Sequence, residues 1–531
     1  MKEYTNRKLQ RRHRFIACAA AGLLVAATVD GIHAQKQEEV PAGPLTLEQV
    51  LKVAESRSET IAISRAGVQR AVGEQIRARS GHYPQLSAAA SYDRALASEF
   101  EGIFDDQALG DADNNFADLP FGRKNTWRAA LVLSQNIYSG GRLGAQRDIA
   151  LAGHQSAVLG VSTATARLLF DVTQSYYEVA LSERLVRIAE ATLEQANATL
   201  RQTQAGFDAG TQPEFELVRA RVTRDSQTPV VIRQRVNREV ALLRLKQLLD
   251  LPQDYDLQLA DALEDPRLPA PPVFAPKIAS MEASIAAAVP ATLQAPADAV
   301  PNRTVVNEAL ATVRLQEAVL RLIEAERKPS VSLNSTYARL AYPTSLFPGF
   351  DRSNWAVGAT LSLPILTGGR QRGDEQVARA DVEEARQTQR LTQELADLDS
   401  RAAWAELLAA RAAWEATAGT VQQATRAYEI ADVRFQSGVS TQLELSDARL
   451  LLQESEANRA IAARDLQVAR ARMALLPDLP IGTTVSPIVV PLQRRDVQVP
   501  VPRTNSTVIS NVASPVGVGG FQGGGFQTGT R

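Results

Sequence analysis

Apolar and small residues recur at gaps of three and four through Val158, Val161, Thr165, Leu168, Val172, Tyr176 and Val179. That spacing is the seam of a coiled-coil helix. The stretch that carries it, residues 143–209, contains no proline, and at about 1.5 Å per residue it predicts one helix roughly 100 Å long. Gly206 and Gly210 mark its end, and a return helix is predicted over 214–251, kinked at Pro229. Upstream, residues 45–57 read as a short helix with Thr46 as N-cap, and 59–80 as a second helix stopped by Pro84. Residues 86–92 and 127–138 lose the helical period and read as strands. An acidic loop, 95–124, lies between them and holds Asp105, Asp106, Asp111, Asp113 and Asp118. Gly140-Gly141 punctuates the return to helix.

The same plan follows a second time. A helix over 305–327 ends at Pro329, strands are predicted over 331–337 and 355–365, and a second long helix begins after Thr367-Gly368-Gly369-Arg370. Its expected seam is Leu391, Leu395, Leu398, Ala402 and Ala405; Gly438 turns it, and a return helix runs to about residue 476. In the last strand Trp355, Val357, Ala359, Leu361, Leu363 and Ile365 share one face, while Ala356, Gly358, Thr360, Ser362 and Pro364 share the other. Val331, Leu333 and Tyr337 likewise alternate with Ser330, Ser332, Asn334 and Thr336. Apolar residues on one face and small or polar ones on the other fit a transmembrane barrel; a soluble two-sided sheet is the alternative. Four strands cannot close a barrel, whose smallest common form has about eight, so membrane strands would require several chains.

The repetition is literal. Gly140-Gly141-Arg142 and Gly368-Gly369-Arg370 are separated by 228 positions, and the same offset links Phe207 to Phe435, Gly210 to Gly438, Glu216-Leu217 to Glu444-Leu445, Arg244 to Arg472 and Asp250-Leu251-Pro252 to Asp478-Leu479-Pro480. A constant offset means no insertion or deletion, as helical packing demands, because one added residue rotates every later side chain by about 100°. The Pro84 to Pro329 offset is 245, so the first hairpin segment is the longer, most simply in its acidic loop. The predicted organisation is a first repeat over 45–252, a proline-rich connector over 253–301 with one short apolar helix near 281–289, a second repeat over 302–480, and a disordered tail rich in Pro, Gly, Ser and Thr over 485–531.

Composition narrows the function. Aromatic residues make up 5% of the chain and its formal net charge is −1, which suits long helices and leaves no nucleic-acid footprint. Residues 1–34 read as a secretory signal: a basic start, an apolar run from Phe15 to Val29, and Ile32-His33-Ala34 before Gln35. The run is well short of the roughly 20 residues a spanning helix needs. The segment holds six basic and two acidic residues and the sole cysteine, Cys18, so the remainder carries a net charge of −5 and no thiol. No later stretch is apolar enough for a spanning helix, so any membrane insertion would be as a closed barrel. With only His82 and His154 left, no zinc site or nucleophilic triad is expected. Gly140-Gly141 lacks the lysine of a phosphate loop. The acidic loop could hold calcium, although a solvated surface is the plainer reading. The chain reads as a non-enzyme without a cofactor.

The doubled helix–hairpin–long helix–return helix unit resembles the TolC-like outer membrane efflux protein family. The similarity is carried by Ser139-Gly140-Gly141-Arg142, Thr367-Gly368-Gly369-Arg370 and the Phe207-x-x-Gly210 and Phe435-x-x-Gly438 turns. It covers about residues 45–480. It implies a mostly helical fold with a β-barrel part, in which a homotrimer closes a 12-stranded outer membrane barrel continued by an α-helical periplasmic tunnel. It implies a passive exit duct for efflux or type I secretion, served by a periplasmic adaptor and an inner membrane pump. The turns at Gly210, Thr211, Gly438 and Val439 would face the adaptor. Family acids that ring the tunnel's narrow end map onto Glu444 and Asp447, three residues apart and so on one helix face. Glu216 keeps the acidic partner position of the family's latch. The latch's tyrosine and arginine are replaced by Phe435 and Ser440. Arg219 stands where repeat two has Asp447, and is expected to pair with an acid of the neighbouring helix pair. The competing reading is a periplasmic coiled-coil scaffold or adaptor without channel activity; a hydrolase has no residues to support it.

Overall fold

The structure is a computed structural model that describes residues 43–97, 125–260, 263, 268–279, 303–341 and 352–482. The first helix, α1 (Leu47–Arg57), starts where Thr46 and Gln49 form a reciprocal capping box: the Gln49 amide donates to Thr46 Oγ1 and the Thr46 amide to Gln49 Oε1 at 2.9 Å. Ser58 then caps α2 (Glu59–Ser80), which spans the predicted residues. Strands β1 (Gln85–Arg94) and β2 (Asn125–Tyr138) lead into α3 (Arg142–Asp208) and the return helix α4 (Glu214–Leu248). In the second repeat, α5 (Thr304–Ala325), β3 (Ser330–Ala341) and β4 (Arg352–Ser362) lead into α6 (Arg370–Gln436) and α7 (Gln442–Leu475). Helix α4 continues unbroken through Pro229, which removes one intrahelical donor but stays within the helix.

The four strands form one antiparallel sheet in the order β1-β2-β3-β4. Its register aligns the alternation of both hairpins. Leu86, Ala88 and Tyr92 lie opposite Leu133, Leu131 and Trp127; Leu133, Leu131 and Gln135 lie opposite Ser335, Tyr337 and Leu333; and these lie opposite Val357, Trp355 and Ala359. One face is therefore apolar across all four strands, and the other carries Ser87, Ser134, Asn334 and Gly358. Ser335, a polar member of this largely apolar face, accepts a hydrogen bond from the Trp355 indole at 3.0 Å. Strand β4 starts three residues earlier than predicted and stops at Ser362 rather than 365. Pro364 has no N–H for the ladder, and Ile365 beyond it is 89% exposed. Thirty or so residues separate β1 from β2 and about ten separate β3 from β4, so the extra length of repeat one does fall in its hairpin connection.

Helices pack as two open rows. Near the sheet the order is α2–α3–α5–α6; toward the two helix turns it is α4–α3–α7–α6. Helices α3 and α6 run through both. At mid-height a core gathers Val50 of α1, Tyr176 and Val179 of α3, Leu245 of α4, Trp404 and Leu407 of α6 and Leu466 of α7. The described part of the connector joins this core through Leu257, Leu263, Leu268, Phe274 and Ile278. Leu268 takes a positive φ of 38° and is held by Arg470, which donates to its carbonyl at 2.7 Å.

The expected seams fare differently. In α3, Leu168, Val172, Tyr176 and Val179 are buried, whereas Val158 is exposed. In α6 the expected seam is overturned: Leu391, Leu398 and Ala402 are exposed, and the buried stripe is Ala396, Asp399, Ser400, Ala403, Trp404, Leu407 and Ala410. Two arginines clasp Asp399 and turn its face inward. The leucine stripe is thereby left along the free edge of the row. No described helix is long and apolar enough to cross a membrane. The signal segment, the acidic loop with its calcium alternative, the apolar helix near 281–289 and the tail lie outside the described residues.

Candidate functional site

The two long helices end in matching turns. Gly210 and Gly438 both have φ of +72°, the left-handed conformation that glycine adopts without strain. The Thr211 amide donates to Gly206 O and the Gly210 amide to Phe207 O, both at 2.9 Å; 228 residues later Val439 donates to Arg434 O at 2.9 Å and Gly438 to Phe435 O at 3.0 Å. These paired bonds are a Schellman cap and satisfy the last carbonyls of each helix. Thr211 and Val439 are exposed at the tips.

Glu444 lies in the first turn of α7, where Thr441 Oγ1 accepts its amide at 3.4 Å. An acid there is favoured by the helix N-terminus. Its carboxylate is exposed and lies 3.7 Å from Arg434 Nη2 across the turn. Asp447, one turn on, is also exposed. The fold thus puts both predicted carboxylates on an uncovered face of α7.

Arg219 has a local partner within the protomer. Its nearest carboxylate is Glu216 of its own helix, at 3.8 Å, and its guanidinium lies over the Phe215 ring at 5.0 Å. Positions three apart on one helix face each other, so the local partner wins. Glu216 meets the other turn through Gln442, a residue that no motif or spacing singles out. Gln442 is buried at the start of α7. With its amide oriented to satisfy both ends, its nitrogen donates to Glu216 O at 3.0 Å and Oε2 at 2.9 Å, and its oxygen accepts from the Ala220 amide at 3.2 Å. The corresponding residue of repeat one, Glu214, is exposed. Phe435 is buried as packing, and the Ser440 hydroxyl is buried without a partner.

Further up this end, Arg449 is buried beside Tyr428. Burial lowers the Arg449 pKa, opposed by Tyr428; burial also raises the Tyr428 pKa, reinforced by Asp432 and opposed by Arg449. Arg221, the repeat-one counterpart of Arg449, is exposed and donates to Gln204 Oε1 at 3.0 Å. Among the described residues no cluster of His, Cys, Asp or Glu could hold a metal ion. The site offers exposed charge at the two turns.

Known proteins share this plan. The outer membrane efflux protein family profile matches residues 50–250 and 295–476. Nodulation protein T of Rhizobium leguminosarum bv. viciae is 23% identical over 334 residues, 61% of this chain and 64% of that protein. The pyoverdine export outer membrane protein OpmQ of Pseudomonas putida is 24% identical over 429 residues, 78% of this chain and 82% of its own length. Among solved structures, the CmeC outer membrane channel of Campylobacter jejuni superposes with a TM-score of 0.64 at 16% identity, covering 82% of this chain and 86% of that one. Family match, doubled fold and matching turns agree: this chain belongs to the outer membrane efflux protein family.

Proposed function

We propose that three copies of this chain form the passive exit duct of a tripartite efflux or type I secretion system, carrying small molecules or proteins across the outer membrane. The observation that carries this reading is that both layers of the protomer are open at both ends. Among the described residues, strands β1 and β4 each leave one edge unpaired, a state that isolated sheets avoid. They run in opposite directions, so β4 of one copy can pair antiparallel with β1 of the next, and three copies supply a 12-stranded barrel. The apolar sheet face then meets lipid. The terminal helices of the lower row support the same closure. Helix α4 exposes Phe215, Val222, Ile232 and Val236, and α6 exposes Leu391, Leu398, Ile430 and Val433. These stripes run antiparallel at the same level and would cover one another between copies.

In such a trimer, Glu444 and Asp447 of three copies converge on the duct's inner end and favour cations, with Glu216 and Arg219 on the adjacent hairpin. The tips at Gly210, Thr211, Gly438 and Val439 face a periplasmic adaptor, and an inner membrane pump supplies the energy. Planar-bilayer conductance of the detergent-extracted protein tests this. Small cation-selective steps are expected, larger or less selective in Glu444→Ala/Asp447→Ala. Steps indifferent to the double substitution would remove the carboxylate ring but keep the channel. Failure to insert, with solubility in the absence of detergent, would favour the periplasmic scaffold instead.

A further inference from the structure

Strand β4 is shorter than its counterpart in the first repeat. The residues of β2, Asn125–Tyr138, lie 228 positions before residues 353–366, yet β4 spans Arg352–Ser362 and stops four residues early. The residues without strand structure are Leu363, Pro364, Ile365 and Leu366. Ile365 is 89% and Leu366 92% exposed, against 63% and 50% for their counterparts Ile137 and Tyr138.

The neighbouring strands explain the difference. Strand β1 pairs with β2 as far as Ser134, opposite Gln85, so the last residues of β2 are held from the other side, by β3. There Gln135 lies opposite Leu333, Asn136 opposite Ser332 and, past a bulge, Tyr138 opposite Val331. In repeat two, β3 pairs with β4 as far as Ser362, opposite Ser330. The strand that would hold residues 363–366 from the other side is the counterpart of β3. That strand is β1, because Gln85 and Ser330 open the two strands 245 positions apart, the offset of Pro84 and Pro329. Within one chain β1 lies at the far edge of the sheet; a second copy brings it to β4. Pro364 does not forbid the pairing. It stands at the place of Asn136, beside the bulge, and bulges are among the few sheet positions that accept proline.

We propose that Leu363–Leu366 is a docking segment for a second copy of this chain, and becomes strand only when β1 of the neighbouring copy pairs with it. Transposing the β2–β3 register sets Leu363, Pro364 and Leu366 opposite Ala88, Ser87 and Leu86 of the neighbouring copy. Leu366 and Leu86 then meet on the apolar face; Leu86 is 68% exposed in the single chain. The same transposition continues into the helices. Asp148 of α3 and Arg321 of α5 pair at 3.0 Å. Their counterparts are Gln376 of α6 and Ile76 of α2, both exposed, so an ion pair inside the chain becomes an uncharged contact between copies. The inference rests on the duct reading, which sets copies edge to edge, and adds to it the register and the segment that folds there.

The test is cysteine cross-linking of the full-length protein in outer membranes, resolved on denaturing gels without reductant. Leu86→Cys/Leu366→Cys sets two thiols across the ladder, about 5 Å apart at Cβ, and should convert most chains to covalently linked trimers. Each single substitution should link no more than wild type. Ala90→Cys/Leu366→Cys is displaced by roughly 13 Å along the strand and should not link. Preferential linking of the displaced pair would overturn the register and leave the duct standing. No linking by either pair, in chains that still conduct in a planar bilayer, would overturn the docking segment alone. Chains that neither associate nor insert would refute the duct itself. Should the cysteine variants not assemble, amide hydrogen exchange in the wild-type trimer decides. The amides of Leu363, Ile365 and Leu366 should exchange within about tenfold of those of Gln135–Tyr138; exchange at the rate of a free loop would overturn the proposal.

Discussion

Asp171, Glu178 and Arg244 of repeat one recur as Asp399, Glu406 and Arg472 of repeat two, yet the two sets have different fates. In repeat two, Asp399 is buried and accepts from Arg303 Nη1 and Arg472 Nη2, both at 3.0 Å, and from the Gly482 amide at 3.3 Å. Arg472 also pairs with Glu406, and Arg303 donates to Ser400 Oγ and Leu479 O. In repeat one, Asp171 meets the exposed Arg167, Glu178 meets Arg464 of α7, and Arg244 is exposed. The difference comes from the chain that arrives at each repeat. Arg303, just before α5, inserts a guanidinium into repeat two. Repeat one is pinned instead through backbone, with Leu45 bonded to the Gln258 and Ala260 region and its carbonyl accepting from Tyr176. Duplicated residues inherit position, but burial is set by what packs on them.

A second contrast separates the interior of the open row from its edge. Gly140 and Gly368 both need positive φ. A Cβ on Gly140 would lie 2.6 Å from Lys328 Cβ and 3.0 Å from Ala325 O, whereas one on Gly368 would meet nothing within 4 Å. Helices α2 and α5 are likewise counterparts, 245 residues apart. Ile63 of α2, at the edge, is 73% exposed, while Glu308 at the matching place in α5 is half-buried, with its pKa raised by that burial.

Substitutions can break these contrasts, the largest first. Asp399→Ala should cost about 3–5 kcal/mol, because it strands a buried guanidinium, and Asp171→Ala no more than about 1 kcal/mol. Equal shifts in denaturant midpoint would mean the buried cluster is not what distinguishes the repeats. Gly140→Ala adds overpacking of about 1–3 kcal/mol to a left-handed strain of about 1–2 kcal/mol; Gly368→Ala carries the strain alone, and thermal melting of the two variants compares them. Gln442→Ala removes a buried amide that joins the two turns and should cost about 1–2 kcal/mol, against about 0.5 kcal/mol or less for exposed Glu214→Ala. The smallest effect is at Glu308. Its folded pKa is raised, so its contribution is fully present below the unfolded carboxylate value and lost as pH rises through the folded one. Glu308→Gln should therefore raise the melting temperature at neutral pH and leave it unchanged in acid. A shift of equal size at both pH values would show that titration is not involved.

Much of this architecture was legible because it is local or repeated. Thr46 and Gln49 announce a helix start, Gly210 and Gly438 announce turns, and alternation in β3 and β4 announces a two-faced sheet. The heptad of Leu391, Leu395 and Leu398 was equally legible, but a heptad says only that a face is apolar, not which helix covers it. The burial of Asp399 has no signal in the sequence for the same reason, since a carboxylate in a helix reads as surface until a distant arginine is known to reach it. At the candidate site, Glu444 and Asp447 were named from the family resemblance, aligned on Gly438. Gln442 was not, because a glutamine signals burial only through the backbone it meets, here 222 to 226 residues away in Glu216 and Ala220. Within the protomer Arg219 meets Glu216 of its own helix, a contact that the three-residue spacing makes legible.

The central pairing of the sheet has a consequence for the order of folding. Strand β2 pairs with β3 from Trp127 opposite Ala341 to Tyr138 opposite Val331, contacts whose partners lie about two hundred residues apart in the chain. Contacts of such long sequence separation form slowly, and a lone two-stranded hairpin is marginal in water. As synthesis proceeds, β1 and β2 must wait with both edges bare until the second repeat arrives. The interval between the two repeats is when this chain is most exposed to aggregation, and anything that shields the first hairpin then should raise the yield of folded protein.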